Sequence, residues 1–300
     1  MRLSIITPVH NEEANIAPFY ARVKKVADAL DGVTAWELLF VNNASEDGSL
    51  DQVRKLRERD PRVKVLTLSR NFGYHSAIVA GLTESTGDLY AIVDGDGEDP
   101  PELLAQFYAA IRGGAQVTYG IRSNRQEPRW LTLCRGLFYH INRWIADGDV
   151  ELWMAEFTMI TQQVREAILV SRTTFPFLRS EMGYVGFKRV GIPYLREKRR
   201  HGTSHYNVLG MMRFAVGGFL ASSTFPLRLV LYTAAVMAVA FPLVTLWRSF
   251  TLVEAAAVGA ILAFYFSLLA LAMVALYLAR TYKNVTARPL YVVDRERTFR

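Results

Sequence analysis

Residues 89–101 read Leu-Tyr-Ala-Ile-Val-Asp-Gly-Asp-Gly-Glu-Asp-Pro-Pro, and this stretch decides the fold. Its first five residues form an apolar run that predicts a buried strand. The two prolines predict the start of a helix, because proline fits the first helical turn. Between strand and helix lies a turn with four carboxylates: Asp94, Asp96, Glu98 and Asp99. The stretch therefore predicts a strand, an acidic turn and a helix in succession.

The same alternation of strands and helices extends over the first 120 residues. Five short apolar runs predict strands: Leu3–Thr7, Leu38–Val41, Val63–Leu68, Leu89–Val93 and Val117–Tyr119. Four amphipathic stretches between them predict helices: Ala14–Leu30, Leu50–Arg59, Tyr74–Ser85 and Pro101–Arg112. Strands that alternate with helices of this length favour a parallel sheet with both faces covered.

Polar clusters follow three of the predicted strands: His10–Glu12, Asn42–Asn43 and Asp94–Asp96. Ligands of parallel α/β sheets bind beyond the carboxyl ends of the strands, so these clusters predict the site. Hard divalent cations take oxygen ligands and keep positions open for substrate phosphates, which favours a metal in the acidic turn. The alternatives are a solvated acidic turn, or a carboxylate-rich helix N-terminus, which the helix dipole stabilises.

The C-terminal third of the chain has a different composition. Residues 229–246 and 255–279 carry no charged side chain. As helices they would be about 27 and 37 Å long, enough to cross a hydrocarbon core of about 30 Å. This predicts a transmembrane hairpin over residues 228–281, with spans near 229–247 and 255–279. The preceding residues 207–227 predict an amphipathic helix in the membrane interface, or alternatively a buried helix of the soluble domain.

Basic residues predict the orientation of this hairpin. Arg213 and Arg228 precede the first span, and the loop between the spans has Arg248 against Glu254. Six basic residues follow the second span: Arg280, Lys283, Arg288, Arg295, Arg297 and Arg300. The positive-inside rule therefore predicts that residues 1–206 and the tail, 282–300, are both cytoplasmic.

The composition of the whole chain excludes several classes of protein. A net charge of +7 suits nucleic acid, anionic lipid or a phosphorylated substrate. The sequence has no RNA- or DNA-binding motif, so nucleic acid is excluded as a partner. The one cysteine, Cys134, excludes an intrachain disulfide and is interpreted as a small buried residue. Two spans are also too few to enclose a transport pathway in one copy of the chain.

Several motifs, in order and spacing, resemble family 2 inverting glycosyltransferases of the dolichyl-phosphate mannose synthase and bacterial polyprenyl-phosphate glycosyltransferase type. The matching segments run almost from end to end: Ser4–Ile16, Leu68–Gly73, Asp94–Glu102, Tyr119–Arg122, Gly186–Phe187, Val190–Tyr194, Arg199 with Gly202, Ser204 and Tyr206, and Arg288–Val293. The resemblance implies a GT-A-like α/β catalytic domain over residues 1–206. Its sheet would be Rossmann-like, mixed and mostly parallel, and the interfacial helix and hairpin would follow it.

The resemblance also implies roles for individual residues. The nucleotide of a UDP- or GDP-linked sugar would contact Pro8, Glu12, Asn42, Asn43, Asp94 and Arg199. Asp94, Asp96 and Glu98 would hold Mg²⁺ or Mn²⁺, which would stabilise the departing diphosphate. The acceptor phosphate would contact Arg122, Arg125 and Ser204. Arginine suits this contact because its planar guanidinium meets two phosphate oxygens at once.

Four positions depart from the pattern of that family. His10 stands where the family usually has tyrosine, and Glu98 stands where it has glutamine. The pair Asn42–Asn43 replaces two aspartates. An asparagine oxygen still accepts a hydrogen bond from an N–H of the nucleobase, so nucleotide binding is retained. Which nucleobase the nucleotide carries is left open.

The catalytic base is a further departure. The family's Gly-Asp-Phe segment corresponds to Ala155–Phe157. Glu156 therefore stands where the family has the aspartate proposed as the base. Asp147 and Asp149 are alternatives. A phosphate monoester is largely dianionic at neutral pH and does not strictly need a base, whereas a hydroxyl acceptor does. Glu156 is therefore predicted to be catalytic, either as a base or by orienting the acceptor.

The predicted reaction is the transfer of a sugar from its nucleotide diphosphate to a polyprenyl phosphate, such as undecaprenyl or dolichyl phosphate, with inversion. The hairpin fits this acceptor, because a long prenyl chain stays in the bilayer and only its phosphate reaches the surface. One alternative is a transferase that glycosylates a lipid or saccharide hydroxyl. Another is a catalytically degenerate membrane scaffold of the same fold. Assembly into a homo-oligomer is left open.

Overall fold

The computed structural model describes residues 1–123, 154–171, 173–174, 176–197, 223–248 and 250–299. Its strands are β1 (Arg2–Val9), β2 (Ala35–Asn42), β3 (Val63–Thr67), β4 (Leu89–Ile92), β5 (Val117–Arg122), β6 (Met154–Thr161) and β7 (Arg189–Tyr194). Its helices are α1 (Glu13–Ala27), α2 (Ser49–Arg59), α3 (Tyr74–Glu84), α4 (Leu104–Arg112, after a 3₁₀ turn at Pro101–Leu103), α5 (Gln162–Val170), α6 (Leu178–Tyr184), α7 (Phe225–Arg248) and α8 (Leu252–Thr286). All the strands and helices predicted before residue 120 are present.

Within the described residues, the strands form one mixed sheet in the order β3-β2-β1-β4-β6-β5-β7. The first four strands of this order are mutually parallel, and β7 is parallel to β5. Strand β6 is antiparallel to both of its neighbours. The alternation of strands and helices alone predicts a parallel sheet, so β6 is the departure from it. The mostly parallel, mixed sheet implied by the family resemblance is confirmed.

The strand order reverses direction beside β1. The chain runs outward from β1 through β2 to β3, and then returns to the other side of β1 as β4. The carboxyl ends of β1 and β4 therefore flank a topological switch point, which is where open α/β sheets bind ligands. The carboxyl ends of β5 and β7 and the amino end of β6 lie at the same edge of the sheet.

Both faces of the sheet are covered, because consecutive strand residues point to opposite sides. Ile5 packs in one layer with Phe19 of α1, and the next residue, Ile6, packs in the other layer with Ile78 of α3. Helix α3 approaches β1 so closely that a Cβ atom on Gly81 would collide with the Ile6 side chain. These contacts fix α3, and the residues at its start, relative to the switch point.

Helices α7 and α8 form the C-terminal hairpin. In the described part of the chain they are the two helices long and apolar enough to cross a membrane, with mean hydropathy of 2.2 and 2.4. Thr251 and Glu254 form a capping box at the start of α8. Helix α8 is longer than the predicted span, since it continues to Thr286. Residues 225–227, predicted as the end of the interfacial helix, begin α7, and residues 207–222 lie outside the described residues.

The residues after α8 return to the sheet. Val65 in β3 exchanges two backbone hydrogen bonds with Phe299, at 2.8 and 2.9 Å. Asp294 N donates to Thr67 O at 2.8 Å. This segment covers the edge of β3, which would otherwise expose unpaired backbone groups. The last residues of the predicted tail are thus part of the surface of the α/β domain.

Candidate active site

The acidic turn begins at the end of β4 and folds back against β1. A Cβ atom on Gly95 would lie 3.0 Å from Thr7 Cγ2 and 3.2 Å from Val9 Cγ1, so a larger residue would be crowded there. Gly97 has a φ of 75°, a conformation that residues with a Cβ rarely adopt. The two glycines therefore allow the four carboxylates to gather at the switch point.

Asp99 anchors the turn and is fully buried. Its carboxylate accepts hydrogen bonds from the Tyr194 hydroxyl at 2.5 Å and from Arg122 Nη2 at 3.4 Å. Arg196 Nε lies 3.6 Å from the same carboxylate. A buried charge is costly unless it is paired, so Arg122 of β5 and Arg196 just after β7 supply the counter-charge. Arg122, predicted to contact the acceptor phosphate, is thus tied to the acidic turn.

Glu98 is also paired with a cation. Its carboxylate forms an ion pair with Arg196, and its backbone N–H donates to Asp96 Oδ1 at 3.1 Å. To ligate a metal, Glu98 would have to exchange Arg196 for the ion. No group of three or more His, Cys, Asp or Glu residues in the described part of the chain is placed to hold a metal by itself.

Asp94 lies in a crowded and buried electrostatic environment. Burial, together with the charges of Asp99 and Asp96, raises the pKa of Asp94 to about 7. A divalent cation relieves this repulsion between carboxylates, because its positive charge stabilises their ionised form. Magnesium binds one or two carboxylates and completes its coordination with water and substrate phosphates. Asp94 and Asp96 fit an ion held in that way, together with a nucleotide diphosphate.

Tyr74, the first residue of α3, contacts Asp94 directly. Its hydroxyl donates a hydrogen bond to Asp94 Oδ1 at 2.6 Å. Burial and the charge of Asp94 hold the pKa of Tyr74 well above its usual value, so the hydroxyl keeps its proton. Tyr74 is a site residue that the sequence did not predict, because only the packing of α3 on β1 brings it to the acidic turn.

Glu156 of β6 lies close to the acidic turn, since the charges of Asp94 and Glu156 both raise the pKa of Tyr74. Glu156 is 7% exposed. Its Oε1 accepts a hydrogen bond from Arg179 Nε at 2.7 Å. Strand β6 thus adds a further carboxylate, Glu156, which is already paired with a cation.

Asn42 and Asn43 end β2 and organise the neighbouring loops. Asn43 Nδ2 donates to Asn71 Oδ1 at 3.0 Å, and Asn43 Oδ1 accepts from Phe72 N at 2.9 Å. Asn42 is buried, and its Oδ1 accepts from Ser45 N at 3.0 Å. A carbonyl oxygen has two lone pairs, so Asn43 retains the capacity to accept a further hydrogen bond.

Pro8 and Glu12 lie at the end of β1, on the same edge of the sheet. Glu12 N donates to Ser49 Oγ at 2.9 Å, and its carboxylate accepts from Asn15 Nδ2 at 2.6 Å. Pro8 is opposite Val41 in the pairing of β1 with β2, one residue before Asn42. The roles of Pro8 and Glu12 in nucleotide binding stay predictions.

The carboxyl edge of the sheet holds most of the predicted site residues: Pro8, Glu12, Asn42, Asn43, Asp94, Asp96, Glu98, Arg122 and Glu156. The others lie outside the described residues: Arg125, Arg199 and Ser204, with the alternative bases Asp147 and Asp149. The residues that the sequence did not predict are those that hold the carboxylates: Tyr74, Arg179, Tyr194 and Arg196. Of these, only Tyr194 carried a signal, since it falls within the matching segment Val190–Tyr194.

Known proteins resemble the chain over most of its length. A family model described as glycosyl transferase family 2 matches residues 4–166. The undecaprenyl-phosphate 4-deoxy-4-formamido-L-arabinose transferase of Pseudomonas paraeruginosa is 30% identical over 98% of this chain and 89% of its own length. A prophage bactoprenol glucosyl transferase homolog of Escherichia coli is 28% identical over 98% of this chain and 99% of its own length.

Among solved structures, a mannosyltransferase of Pyrobaculum calidifontis in complex with GDP-mannose and Mn²⁺ is similar, with a TM-score of 0.48 and 18% identity. The similarity covers 94% of this chain and 86% of that chain. The family model covers more than half of the present sequence, and the chain therefore belongs to glycosyl transferase family 2, a family of sugar-transferring enzymes.

Proposed function

We propose that this chain transfers a sugar from a nucleotide diphosphate sugar to a polyprenyl phosphate, with inversion at the anomeric carbon. The observation that carries the proposal is a direct contact between the hairpin and the segment that leads to the site. Thr174 donates to Asn284 Oδ1, near the end of α8, from its hydroxyl at 2.6 Å and from its backbone N–H at 3.0 Å. Four residues after Thr174, α6 begins and supplies Arg179 to Glu156.

This geometry suits an acceptor that cannot leave the bilayer. Only the phosphate of a long prenyl chain reaches the membrane surface, so the site must lie close to the end of the hairpin. The two relatives described above, which match almost the whole chain including the hairpin, are named for bactoprenol and undecaprenyl phosphate. Both are polyprenyl lipids, which supports the same class of acceptor here.

The site residues divide the work of the reaction. The ends of β1 and β2 would bind the nucleotide, while Asp94 and Asp96 would hold a divalent ion. Mg²⁺ or Mn²⁺, when bound, supplies positive charge that stabilises the departing diphosphate. An oxygen of the acceptor phosphate forms the new bond to the anomeric carbon, and the bond from that carbon to the diphosphate breaks. Since the acceptor is largely dianionic near neutral pH, no proton has to leave it first.

The experiment that tests this function measures the lipid product. Purified protein in detergent, incubated with undecaprenyl phosphate, Mg²⁺ or Mn²⁺ and a panel of UDP- and GDP-linked sugars, should yield one glycosylated lipid phosphate by mass spectrometry. Omitting the metal, or replacing the lipid with undecaprenol, should abolish the product. Transfer to the undecaprenol hydroxyl, or no lipid product with any donor, would contradict the proposal.

We also propose that the catalytic domain and the tail lie in the cytoplasm and the α7–α8 loop on the other side. In intact cells, a membrane-impermeant maleimide should label Phe250→Cys and leave Arg295→Cys unlabelled, each made in a Cys134→Ser background. Both positions are exposed, so their labelling reports the side of the membrane. Permeabilised cells provide the control, in which both cysteines should react. The opposite pattern in intact cells would reverse the topology.

Asp96→Ala should abolish metal-dependent turnover, because it removes a carboxylate proposed to hold the ion. We expect kcat to fall by about 100-fold or more, as when other preorganised electrostatic contacts are removed. Steady-state kinetics over a range of Mn²⁺ concentrations measure the effect. Asp51→Ala, which removes an exposed carboxylate of α2, is the matched control and should keep full activity. Unchanged turnover in the Asp96 variant would refute the metal assignment.

Tyr74→Phe should lower kcat by about tenfold, since it removes the hydrogen bond to Asp94 and leaves the ring in place. The matched control is Tyr20→Phe, which removes a hydroxyl that donates to Asp60 at 2.8 Å, away from the site. Both variants lose one tyrosine–aspartate hydrogen bond, and only the first should change turnover. Equal kcat values in the two variants would show that the Tyr74 hydroxyl is merely structural.

A further inference from the structure

We propose that Arg179 contacts the acceptor phosphate, and that Glu156 acts through Arg179 by holding its guanidinium in place. This assignment rests on the proposed function and deepens it. Glu156 then becomes a positioning residue, while Arg179 becomes the group that touches the substrate.

The pair has the burial pattern that this role requires. The Glu156 side chain is 9% exposed and the Arg179 side chain is 22% exposed, with Nε and Oε1 2.7 Å apart. The carboxylate is therefore the inner member of the pair and the guanidinium the outer one. The hydrogen bond uses Nε, and a guanidinium carries four more N–H donors on its two terminal nitrogens. Those donors match the spacing of phosphate oxygens.

The charges of the site favour Arg179 over Glu156 as the contact. An acceptor phosphate with a charge near −2 that approached a bare carboxylate would be repelled. Arg122 and Arg196 neutralise Asp99 and Glu98 and so hold the acidic turn. Arg179 is paired instead with Glu156, the carboxylate predicted to act as a base or to orient the acceptor.

Arg179 also lies on the path from the membrane. Thr174 is hydrogen-bonded to Asn284 near the end of α8, and five residues of extended chain span at most about 18 Å. Arg179 is thus within that distance of the hairpin contact along the backbone, and its side chain ends at Glu156. A lipid phosphate that emerges beside the end of α8 reaches the reacting carbon by this route.

The test separates acceptor binding from chemistry. The experiment measures three constants: KM for undecaprenyl phosphate, KM for the nucleotide sugar, and kcat. They are compared for the wild type, Arg179→Gln, Arg179→Lys and a control, Arg59→Gln, which changes an exposed residue at the end of α2. We expect Arg179→Gln to raise KM for the lipid by about tenfold or more while KM for the donor stays within about twofold. Arg179→Lys, which keeps the charge, should recover part of this loss, and Arg59→Gln should match the wild type.

Glu156 variants test the positioning role. A glutamine oxygen still accepts a hydrogen bond from Arg179, so Glu156→Gln should keep measurable turnover and an unshifted pH profile, whereas Glu156→Ala should raise KM for the lipid. If Glu156 is instead the base, Glu156→Gln should be as inactive as Glu156→Ala. That result, or an unchanged KM for the lipid in Arg179→Gln, would overturn the inference.

Two further measurements keep the outcome decisive. If Arg179→Gln does not fold, Arg179→Lys decides alone, since a raised KM for the lipid supports the contact and an unchanged KM refutes it. Titration of farnesyl phosphate into the folded variants by calorimetry provides a readout without turnover, with farnesol as the uncharged control. If the wild type glycosylates no polyprenyl phosphate, the proposed function itself fails. If it does and Arg179→Gln binds farnesyl phosphate normally, only this assignment fails.

Discussion

Four carboxylates in one turn at the end of a buried strand repel one another, and the organisation of the site follows from that repulsion. The turn is stabilised because cations from other elements surround it. Arg122 and Arg196 pair with Asp99, and Arg22 of α1 bonds both Glu102 and Glu197. Burial, together with the charges of Asp99 and Asp96, raises the pKa of Asp94 to about 7. A divalent ion bound beside Asp94 would supply positive charge that favours its ionised form.

The pairing of charges also joins distant parts of the chain. Glu197 N donates to Glu98 O at 2.8 Å, so the segment after β7 is fastened to the acidic turn by backbone as well as by side chains. Among the described residues, Thr174 contacts Asn284 near the end of α8, and the chain after α8 pairs with β3. The second of these contacts lies next to the loop whose Asn71 bonds Asn43. The C-terminal part of the chain thus contacts the domain both near α6 and near the loop that follows β3.

The sequence predicts those features that depend on local pattern. Hydrophobic period and helix-start signals located the first five strands and four helices, and composition located the hairpin, because each signal lies within the element itself. The acidic turn was recognised because its carboxylates are adjacent in sequence. Strand β6 was not predicted, and its antiparallel orientation depends on the connection that leads to it rather than on its own residues. The position of Glu156 near Tyr74 and the acidic turn follows from that pairing and from nothing near Glu156 in the sequence.

Residues that hydrogen-bond the site carboxylates were harder to predict than the carboxylates themselves. Tyr74 opens a helix that is recognisable in sequence, yet its contact with Asp94 depends on how α3 packs against β1. Arg179 belongs to a short helix whose position depends on Thr174 and Asn284. A single arginine or tyrosine carries no motif, because these types are common on ordinary surfaces and at ordinary interfaces. Only the three-dimensional structure distinguishes the arginine that pairs with Glu156 from a solvated one.

The family resemblance sets Glu156 where the family has an aspartate, and the longer side chain bears on what this carboxylate does. A general base must sit within about 0.5 Å of its productive position, so an additional methylene would disturb it. A carboxylate that holds an arginine meets a weaker constraint, because the long arginine side chain can shift to keep the ion pair. The observed hydrogen bond of 2.7 Å between Glu156 and Arg179 has good geometry despite the longer side chain. The substitution is therefore easier to reconcile with positioning an arginine than with abstracting a proton.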